Sequence, residues 1–341
     1  MDVSQWAYPK AAGLYIAPLD AYIDPIRPVA RALITHGHAD HARAGHDIVY
    51  ATPQTLDIMA HRYGADFAKN KVAAPYAQPF TLGDCDIEFI SAGHVLGSAQ
   101  IVINYQQKTL IAAGDYKRKF DPTVRPFDVR PCDVFITEAT FGLPVFKHPD
   151  PRDEIAKLQK IRARFPKRSC FIGAYALGKA QRVISLLRQS GYDAPIYLHG
   201  ALQTLCRYYE SQEIVLGDLR ALPQKTGAGA TKELEGQIII GPPSAIGSPW
   251  ANRLPDPIIC FASGWMQVKA RAKQRAVEIP LILSDHADWD DILTTIEEVN
   301  PAEVWVTHGN EEALLYELAR RGRKAQALHM IGFERVAGDE G

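Results

Sequence analysis

The apolar run Arg31–Thr35 leads without a break into His36-Gly37-His38-Ala39-Asp40-His41, three imidazoles and a carboxylate within six positions. Few folds can use such a stretch. A strand that ends in a tight turn aims His36 and His38 at one cation, and Asp40 and His41 at a neighbouring one. Imidazole nitrogen and carboxylate oxygen together suit zinc, manganese or iron. The plain alternative is a polar loop whose histidines are there by accident. It loses ground because further ligand types follow in similar strand-end settings.

Those further residues come in order. His94 sits in the Gly-flanked turn Ser91–Ala99, between apolar stretches. Asp115 closes the strand-like run Thr109–Ala113 after a break at Gly114. A carboxylate there can bridge two metals, because it offers two oxygens with several lone pairs. His308 ends Glu303–Thr307, again an apolar strand followed by His-Gly. Upstream, Asp20 is expected to orient a ligating histidine through its second ring nitrogen; as a residue type it serves equally well as a turn or helix cap.

The chain has 341 residues, 47% hydrophobic and 23% charged, enough for a large core and two subdomains. No stretch approaches the roughly 20 apolar residues of a membrane span. The start, Met1–Trp6, lacks the basic and apolar segments of a secretory leader, so a cytoplasmic protein is expected. Five cysteines, Cys85, Cys132, Cys170, Cys206 and Cys260, are scattered singly, which argues against disulfides and thiolate metal sites. Net charge is −1, so the chain is not coated in positive potential. Nucleic acid is still possible, because a local groove of cations suffices. Basic stretches at 116–119, 269–275 and 320–324 are candidates for one, although most such runs are solvated faces.

Short strands are expected at 12–16, 30–35, 47–51, 86–91, 100–104 and 109–113, between Gly, Pro and Asp turns. A helix is expected at 53–64, with Leu56, Met59, Ala60 and Tyr63 on one face. After Glu138 a Pro-rich linker, Gly142–Arg152, introduces a different rhythm. Helices at 153–164, 178–190 and 201–210 alternate with strands at 169–175, 195–198, 237–240 and 257–262. Alternation of this kind predicts a parallel sheet flanked by helices. Residues 220–236 read as an irregular excursion. An α/β module of roughly 120 residues therefore appears inserted between Asp115 and His308. The expected division is 1–145, an insertion at 146–275, and a return to the first domain at 276–341.

His36, His38, Asp40 and His41 match the HxHxDH signature of the metallo-β-lactamase superfamily, and His94, Asp115 and His308 match its later metal positions. The chain thus resembles that superfamily, whose members include thioesterases, lactonases, oxidoreductases and nucleases. The inserted module, Glu138 in Val134–Thr140, His286 in Leu283–Trp289 and His308 resemble its β-CASP nuclease branch. The resemblance implies an αββα metallo-β-lactamase sandwich carrying an inserted β-CASP α/β domain, and two divalent ions, Zn2+ or Mn2+. The stretches His36–His46, Met59–Gly64, Ser263–Met266 and Leu283–Trp289 look like the bacterial ligase-associated DNA exonucleases, relatives of the Artemis-type DNA nucleases of eukaryotes. That likeness runs over nearly the whole chain. It implies a DNA-repair exonuclease acting on single strands or duplex ends, beside a DNA ligase, a helicase and an endonuclease, with a 5′→3′ direction extrapolated from the DNA relatives.

Chemically, two metals lower the pKa of a shared water and clamp the phosphate. Asp40, besides ligating, is expected to orient the hydroxide. Glu138 is expected to hold His286 protonated, so that His286 gives a proton to the leaving oxygen. The plain alternatives are a strand-end salt bridge for Glu138 and a neighbour of a helix cap for His286. Substrate contacts are expected at Tyr175 and Lys179, beside a helix N-terminus that offers N–H groups to phosphate, and at Ser263, Gly264, Lys269 and Arg271. His308 departs from the eukaryotic DNA branch, which usually has an apolar residue there, and matches the RNA-processing branch. An RNA-processing nuclease is therefore the first rival reading; a non-catalytic metal-binding scaffold and a small-molecule hydrolase such as a thioesterase are more distant ones.

Overall fold

The computed structural model describes residues 2–223, 232–248, 250, 251, 254 and 256–331. The chain forms two compact units, Met1–Lys147 with His286–Gly341, and His148–Asp285.

In the first unit, strand parity builds four layers. One six-stranded sheet runs Ala7–Lys10, Gly13–Ile16, Ala21–Ile23, Arg31–Leu33, His46–Ala51, Ala68–Ala73, in chain order. A second, seven-stranded sheet places Glu303–Gly309 between Ala325–Ala327 and Val134–Ala139, then Lys108–Ala112, Ala99–Tyr105, Cys85–Ser91 and Phe80–Leu82. Side chains alternate between faces along a strand. Leu33, Leu110, Ile136 and Trp305 point between the sheets, where they meet Trp6, Ile16, Phe89 and Ile101. Their chain neighbours Ala32 and Ile34 face the other way, onto Met59 of the helix Pro53–Tyr63. Ile111, Phe135, Val304 and Val306 likewise face Ile292, Leu293 and Ile296 of the helix Trp289–Val299 and Leu314 and Leu318 of Glu311–Arg320. Each fully buried large apolar side chain contributes roughly 1.5–3 kcal/mol, so a strand covered on both faces, such as Glu303–Gly309, is a firm base for the residue at its end. The result is the expected αββα sandwich.

The helix Pro53–Tyr63 starts because Thr52 accepts the Thr55 N–H at 3.2 Å, with Pro53 in the first turn, where it loses no helical hydrogen bond. The Thr52 hydroxyl also donates to the Gly97 carbonyl at 2.6 Å, which ties the helix cap to the loop that carries His94. Tyr63, expected on the apolar face, is 36% exposed, because the helix ends there and Gly64 turns the chain away. The edge strand Ala68–Ala73 was not anticipated. Its side chains beyond Ala68 are exposed and two of them are lysines, a composition that blunts a sheet edge rather than advertising one.

The second unit is an all-parallel sheet in the order Leu219–Ala221, Ile196–Leu198, Ile238–Gly241, Cys170–Gly173, Ile258–Ala262, Ile279–Leu281. Its inner strands Cys170–Gly173 and Ile238–Gly241 are buried at every position, as two-sided cover by helices requires. The helices Pro151–Arg164, Lys179–Gln189 and Gly200–Ser211 lie close to their predicted spans. Ile279–Leu281 pairs with Ile258–Ala262 in this sheet, which carries the unit to Asp285, past the boundary expected at 275. Of the excursion expected over 220–236, residues 224–231 lie outside the described residues. All five cysteines are free thiols. Among the described residues no helix is long and apolar enough to cross a membrane.

Candidate metal centre

Strand ends of both sheets of the first unit converge on Asp115. Its Oδ2 lies 3.6 Å from His36 Nε2, 3.6 Å from His41 Nε2, 3.8 Å from His94 Nε2 and 3.9 Å from His286 Nδ1. His38 Nδ1 and His94 Nε2 are 3.0 Å apart, a spacing compatible with both ligating one ion at about 2.0–2.1 Å each. His36, His38, His94 and Asp115 form one group whose ligand atoms lie within 4.8 Å of one another, and His41, Asp115 and His308 form a second. The two groups share the Asp115 carboxylate, whose two oxygens would let it serve both. Asp40 is exposed at the rim, with Oδ2 3.9 Å from His41 Nε2, and completes neither group.

Backbone conformation sets these positions. Gly114 has φ +59°, and a Cβ there would sit 2.8 Å from the Thr35 side chain, so only glycine lets Asp115 approach the strand that carries His36. The Ser98 hydroxyl accepts the N–H groups of His94 and Val95 at 3.0 and 3.1 Å, which closes the turn behind His94. His308 adopts φ +53° at the end of its strand, and its ring centroid is 5.2 Å from that of His41.

The tautomers follow from a residue that sequence reasoning missed. Asp24 Oδ1 accepts the Thr35 N–H at 2.8 Å, and Oδ2 accepts the Thr35 hydroxyl at 2.5 Å and His41 Nδ1 at 2.8 Å. The Thr35 oxygen, its proton given to Asp24, is left to accept from His36 Nδ1 at 3.0 Å. Both imidazoles then carry a proton on Nδ1 and turn Nε2 toward the centre, His36 as a neutral ring with a free lone pair there. His36 Nε2 is buried and has no hydrogen-bond partner. A buried ring nitrogen left that way beside a carboxylate oxygen fits a cation. Asp20, expected in the orienting role, is instead exposed at the end of a 3₁₀ turn and accepts from the Tyr15 hydroxyl at 2.9 Å.

Electrostatics agree with that fit. Burial pushes the His36 pKa far below the ordinary imidazole value, helped by the neighbouring histidines, so His36 is a neutral donor. Burial opposes charge on His41 too, but Asp115 and Asp24 outweigh it and raise His41 to about 10. A cation held here by His41 would have to displace that proton. A cavity of about 260 Å³ opens beside this second group, walled by Asp24, His41 and His308 on one side and by Leu14, Ile23 and Ile136 on the other.

Glu138 is buried beside the centre. Its Oε1 accepts the Tyr116 N–H at 2.7 Å, and its Oε2 is 2.9 Å from His286 Nδ1. Burial raises the Glu138 pKa, but the His286 charge and hydrogen bond, with those of Thr140 and Tyr116, overcome it and leave the carboxyl below its usual range. Glu138 and His286 are thus in direct contact, and with Asp115 they also lie close enough together to hold an ion themselves.

Other expected residues scatter. Tyr175 is 54% exposed just beyond the end of Cys170–Gly173. Ser263 and Gly264 are buried just beyond Ile258–Ala262, where the Ser263 hydroxyl accepts the Trp265 N–H at 3.3 Å. These two strands are neighbours and parallel, so both loops leave the carboxyl ends of the strands, where open α/β sheets bind ligands. Lys269 and Arg271 are exposed, and the Arg271 guanidinium lies 4.0 Å from the Trp265 ring centroid. Lys179 departs from expectation. It is 4% exposed, donates to the Leu283 carbonyl at 2.8 Å and pairs with Asp285 at 2.9 Å, so its charge is spent inside the unit rather than offered to phosphate. In the other basic stretches, Arg118 pairs with Glu298, Lys119 with Asp288, Arg320 with Glu317, and Arg321 with Glu297 and Glu317.

A family model described as the Zn-dependent metallo-hydrolase RNA specificity domain matches residues 276–330. Over 331 residues, 95% of this chain, the protein is 28% identical to a "Probable DNA ligase" of Opitutus terrae, and the match covers 31% of that relative. It is 35% identical over 124 residues to the "Probable RNase MJ4" of Methanocaldococcus jannaschii (34% of this chain, 28% of the relative). It is 30% identical over 125 residues to cleavage and polyadenylation specificity factor 73 of Drosophila melanogaster (34% of this chain, 18% of the relative). The matches thus span about a third or less of these relatives. A solved structure of a protein of unknown function from Enterococcus faecalis V583 shares the fold, with a TM-score of 0.57 at 12% identity over 86% of this chain and 78% of that one. The αββα sandwich, the histidines and aspartate converging at its strand ends, and these matches make the chain similar to the metallo-hydrolases. Among them it is most like proteins of the β-CASP branch of the metallo-β-lactamase superfamily.

Proposed function

We propose that the protein is a DNA exonuclease of a repair pathway, hydrolysing phosphodiester bonds with the help of two divalent ions, Zn2+ or Mn2+. The observation that carries the chemistry is the single oxygen of Asp115 standing between two histidine groups and beside His286. One ion would be held by His36, His38, His94 and Asp115, and the other by His41, Asp115 and His308. Bound there, the ions supply hydroxide at neutral pH and relieve charge on the non-bridging phosphate oxygens. Asp40 at the rim orients the attacking oxygen. Glu138 engages His286 Nδ1, so Nε2 is the ring atom that passes a proton to the leaving oxygen. Tyr175, Ser263, Gly264, Lys269 and Arg271 line the track of the nucleic-acid backbone beyond the carboxyl ends of the parallel strands.

DNA as substrate is supported by the relative matched over 95% of this chain, whose name is that of a DNA ligase. A ligase, a helicase and an endonuclease are the partners this reading expects, in the cytoplasm, with single strands or duplex ends attacked in the 5′→3′ direction. RNA processing is the second reading, favoured by the match to an RNA specificity domain, by the RNase relative and by a histidine at position 308. The deciding experiment offers end-labelled single- and double-stranded DNA and matched RNA to the protein loaded with Mn2+ or Zn2+. Stepwise shortening of DNA is expected. Preferential cleavage of RNA overturns the choice of substrate, and no cleavage of either by metal-loaded protein leaves a scaffold.

A further inference from the structure

The chain reaches His286 through Leu283–Asp285, and two buried cations of the helix Lys179–Gln189 grip that stretch. Lys179 Nζ donates to the Leu283 carbonyl at 2.8 Å and lies 2.9 Å from Asp285 Oδ1. Arg182, one helical turn on, donates to the Ser284 carbonyl and reaches the same Asp285 oxygen at 3.4 Å. Lys179, Arg182 and Asp285 are 4%, 3% and 4% exposed. Just upstream, Glu154 accepts the Ile282 N–H at 2.7 Å and Lys157 donates to the Pro280 carbonyl at 2.6 Å. Side chains of two helices therefore hold most of the run from 280 to 285.

This is a costly way to fill a core. Two desolvated cations against one carboxylate often stabilise no more than apolar side chains of the same volume would, and in some proteins such groups serve to secure one geometry. Here they fix three consecutive residues, the last of them one peptide bond before His286. An apolar contact could not hold the carbonyls of residues 283 and 284 in a set direction; charge-assisted hydrogen bonds can.

We infer that Lys179 and Arg182 are positioning residues for His286: through Leu283, Ser284 and Asp285 they fix the backbone from which the proton donor is presented. The inference rests on the reading of His286 as that donor. A misplacement of about 1 Å in a reacting group costs on the order of 100-fold in rate, so a loosened grip registers in kcat rather than in substrate affinity.

The test uses the full chain, metal-loaded, as Lys179→Met, Arg182→Met and His286→Ala, on two substrates: the oligonucleotide that the parent cuts, and bis(4-nitrophenyl) phosphate, whose leaving group departs without a proton. For the two Met variants, kcat on the oligonucleotide is expected to fall roughly 10- to 100-fold with KM near that of the parent. Metal content and hydrolysis of the aryl ester stay close to the parent, and Lys179→Arg and Arg182→Lys recover part of the rate. In the metal-free protein, amide exchange over 283–287 accelerates in the Met variants, a readout independent of activity. Equal losses on both substrates, or unchanged exchange with unchanged kcat, overturn the inference. If His286→Ala loses both substrates alike, the donor reading falls and takes the inference with it; if His286→Ala spares the aryl ester while the Met variants behave as the parent, only the positioning role falls. Should the Met variants fail to fold, Asp285→Asn weakens both ion pairs at constant shape and is judged by the same two substrates.

Discussion

Asp24 accepts a hydrogen bond from His41, Oδ2 to Nδ1 at 2.8 Å, and this contact leaves Nε2 as the ring nitrogen turned toward Asp115. Through Thr35 the same carboxylate reaches His36. One residue outside both ligand groups that hold Asp115 thus orients a histidine of each. Replacing Asp24 with Ala is expected to weaken metal binding by about 10–100-fold, read by competition with a chelator, while the fold is retained. Unchanged affinity would mean that packing alone orients the two rings.

If Asp115 bridges, its loss and the loss of His308 differ in kind. Asp115→Asn is expected to lower metal content at both positions and to abolish cleavage. His308→Ala is expected to take a two-metal protein toward one ion per chain, because His36, His38, His94 and Asp115 remain intact. Elemental analysis after dialysis distinguishes the two. Equal stoichiometry in parent and His308→Ala would remove His308 from the ligand set.

The residues that converge on Asp115 were legible because a short spacing and a repeated local pattern, apolar strand then Gly-flanked His or Asp, carry the signal. Asp24 was not. It follows the strand Ala21–Ile23, and what brings it to Thr35 is the parallel pairing of Ile23 with Leu33, a relation between strands that no local window contains. Asp20, four residues earlier, has the same side chain and looks no different without that register. Lys179 misled for a related reason. A cation at a helix start beside glycine reads as a phosphate contact, yet every residue from Lys179 to Leu187 is buried, the polar ones included. Side chains such as Gln181, Arg182 and Ser185 give no hint of this, because their burial depends on what packs around the helix. The alternating helices and strands of the insertion were readable from periodicity, while its end at Asp285 was not, since Ile279–Leu281 is a short strand recognised only by its partner.

His46 gives the fold a pH response separate from the metal ligands. Its ring is buried, and its Nδ1 accepts the Val29 N–H at 3.2 Å, so protonating that nitrogen breaks the bond. Burial lowers its pKa below the ordinary imidazole value, against an opposing hydrogen bond with the Arg43 backbone. The folded protein therefore holds this proton less tightly than the unfolded chain. The stability tied to the neutral ring is complete above about pH 6.5 and is lost as pH falls from there toward the folded-state pKa. In denaturant titrations of metal-free protein at about pH 7 and about pH 5.5, His46→Gln is expected to lose less stability on acidification than the parent. An equal or larger loss would show that His46 does not titrate differently on folding.

The last prediction concerns the backbone beneath His308. Gly309 has φ +112°, and a Cβ there would lie 2.1 Å from the Ala139 carbonyl oxygen, at the point where the pairing of Val134–Ala139 with Glu303–Gly309 shifts register. Gly309→Ala must both strain the backbone and push the strand ends apart, which displaces His308 on one strand and Glu138 on the other. A cost of roughly 2–5 kcal/mol is expected from strain and overpacking together. Gly322→Ala serves as the comparison: φ is +71° there, but nothing lies within 4 Å of the added carbon, so only backbone strain remains, about 1–2 kcal/mol. Denaturation midpoints of the two variants separate strain from contact. Because His308 moves only in the first, Gly309→Ala is also expected to lose metal from the second group, as His308→Ala does, while Gly322→Ala keeps it. Parity between the two variants in both measurements would show that the strand ends yield without disturbing the centre.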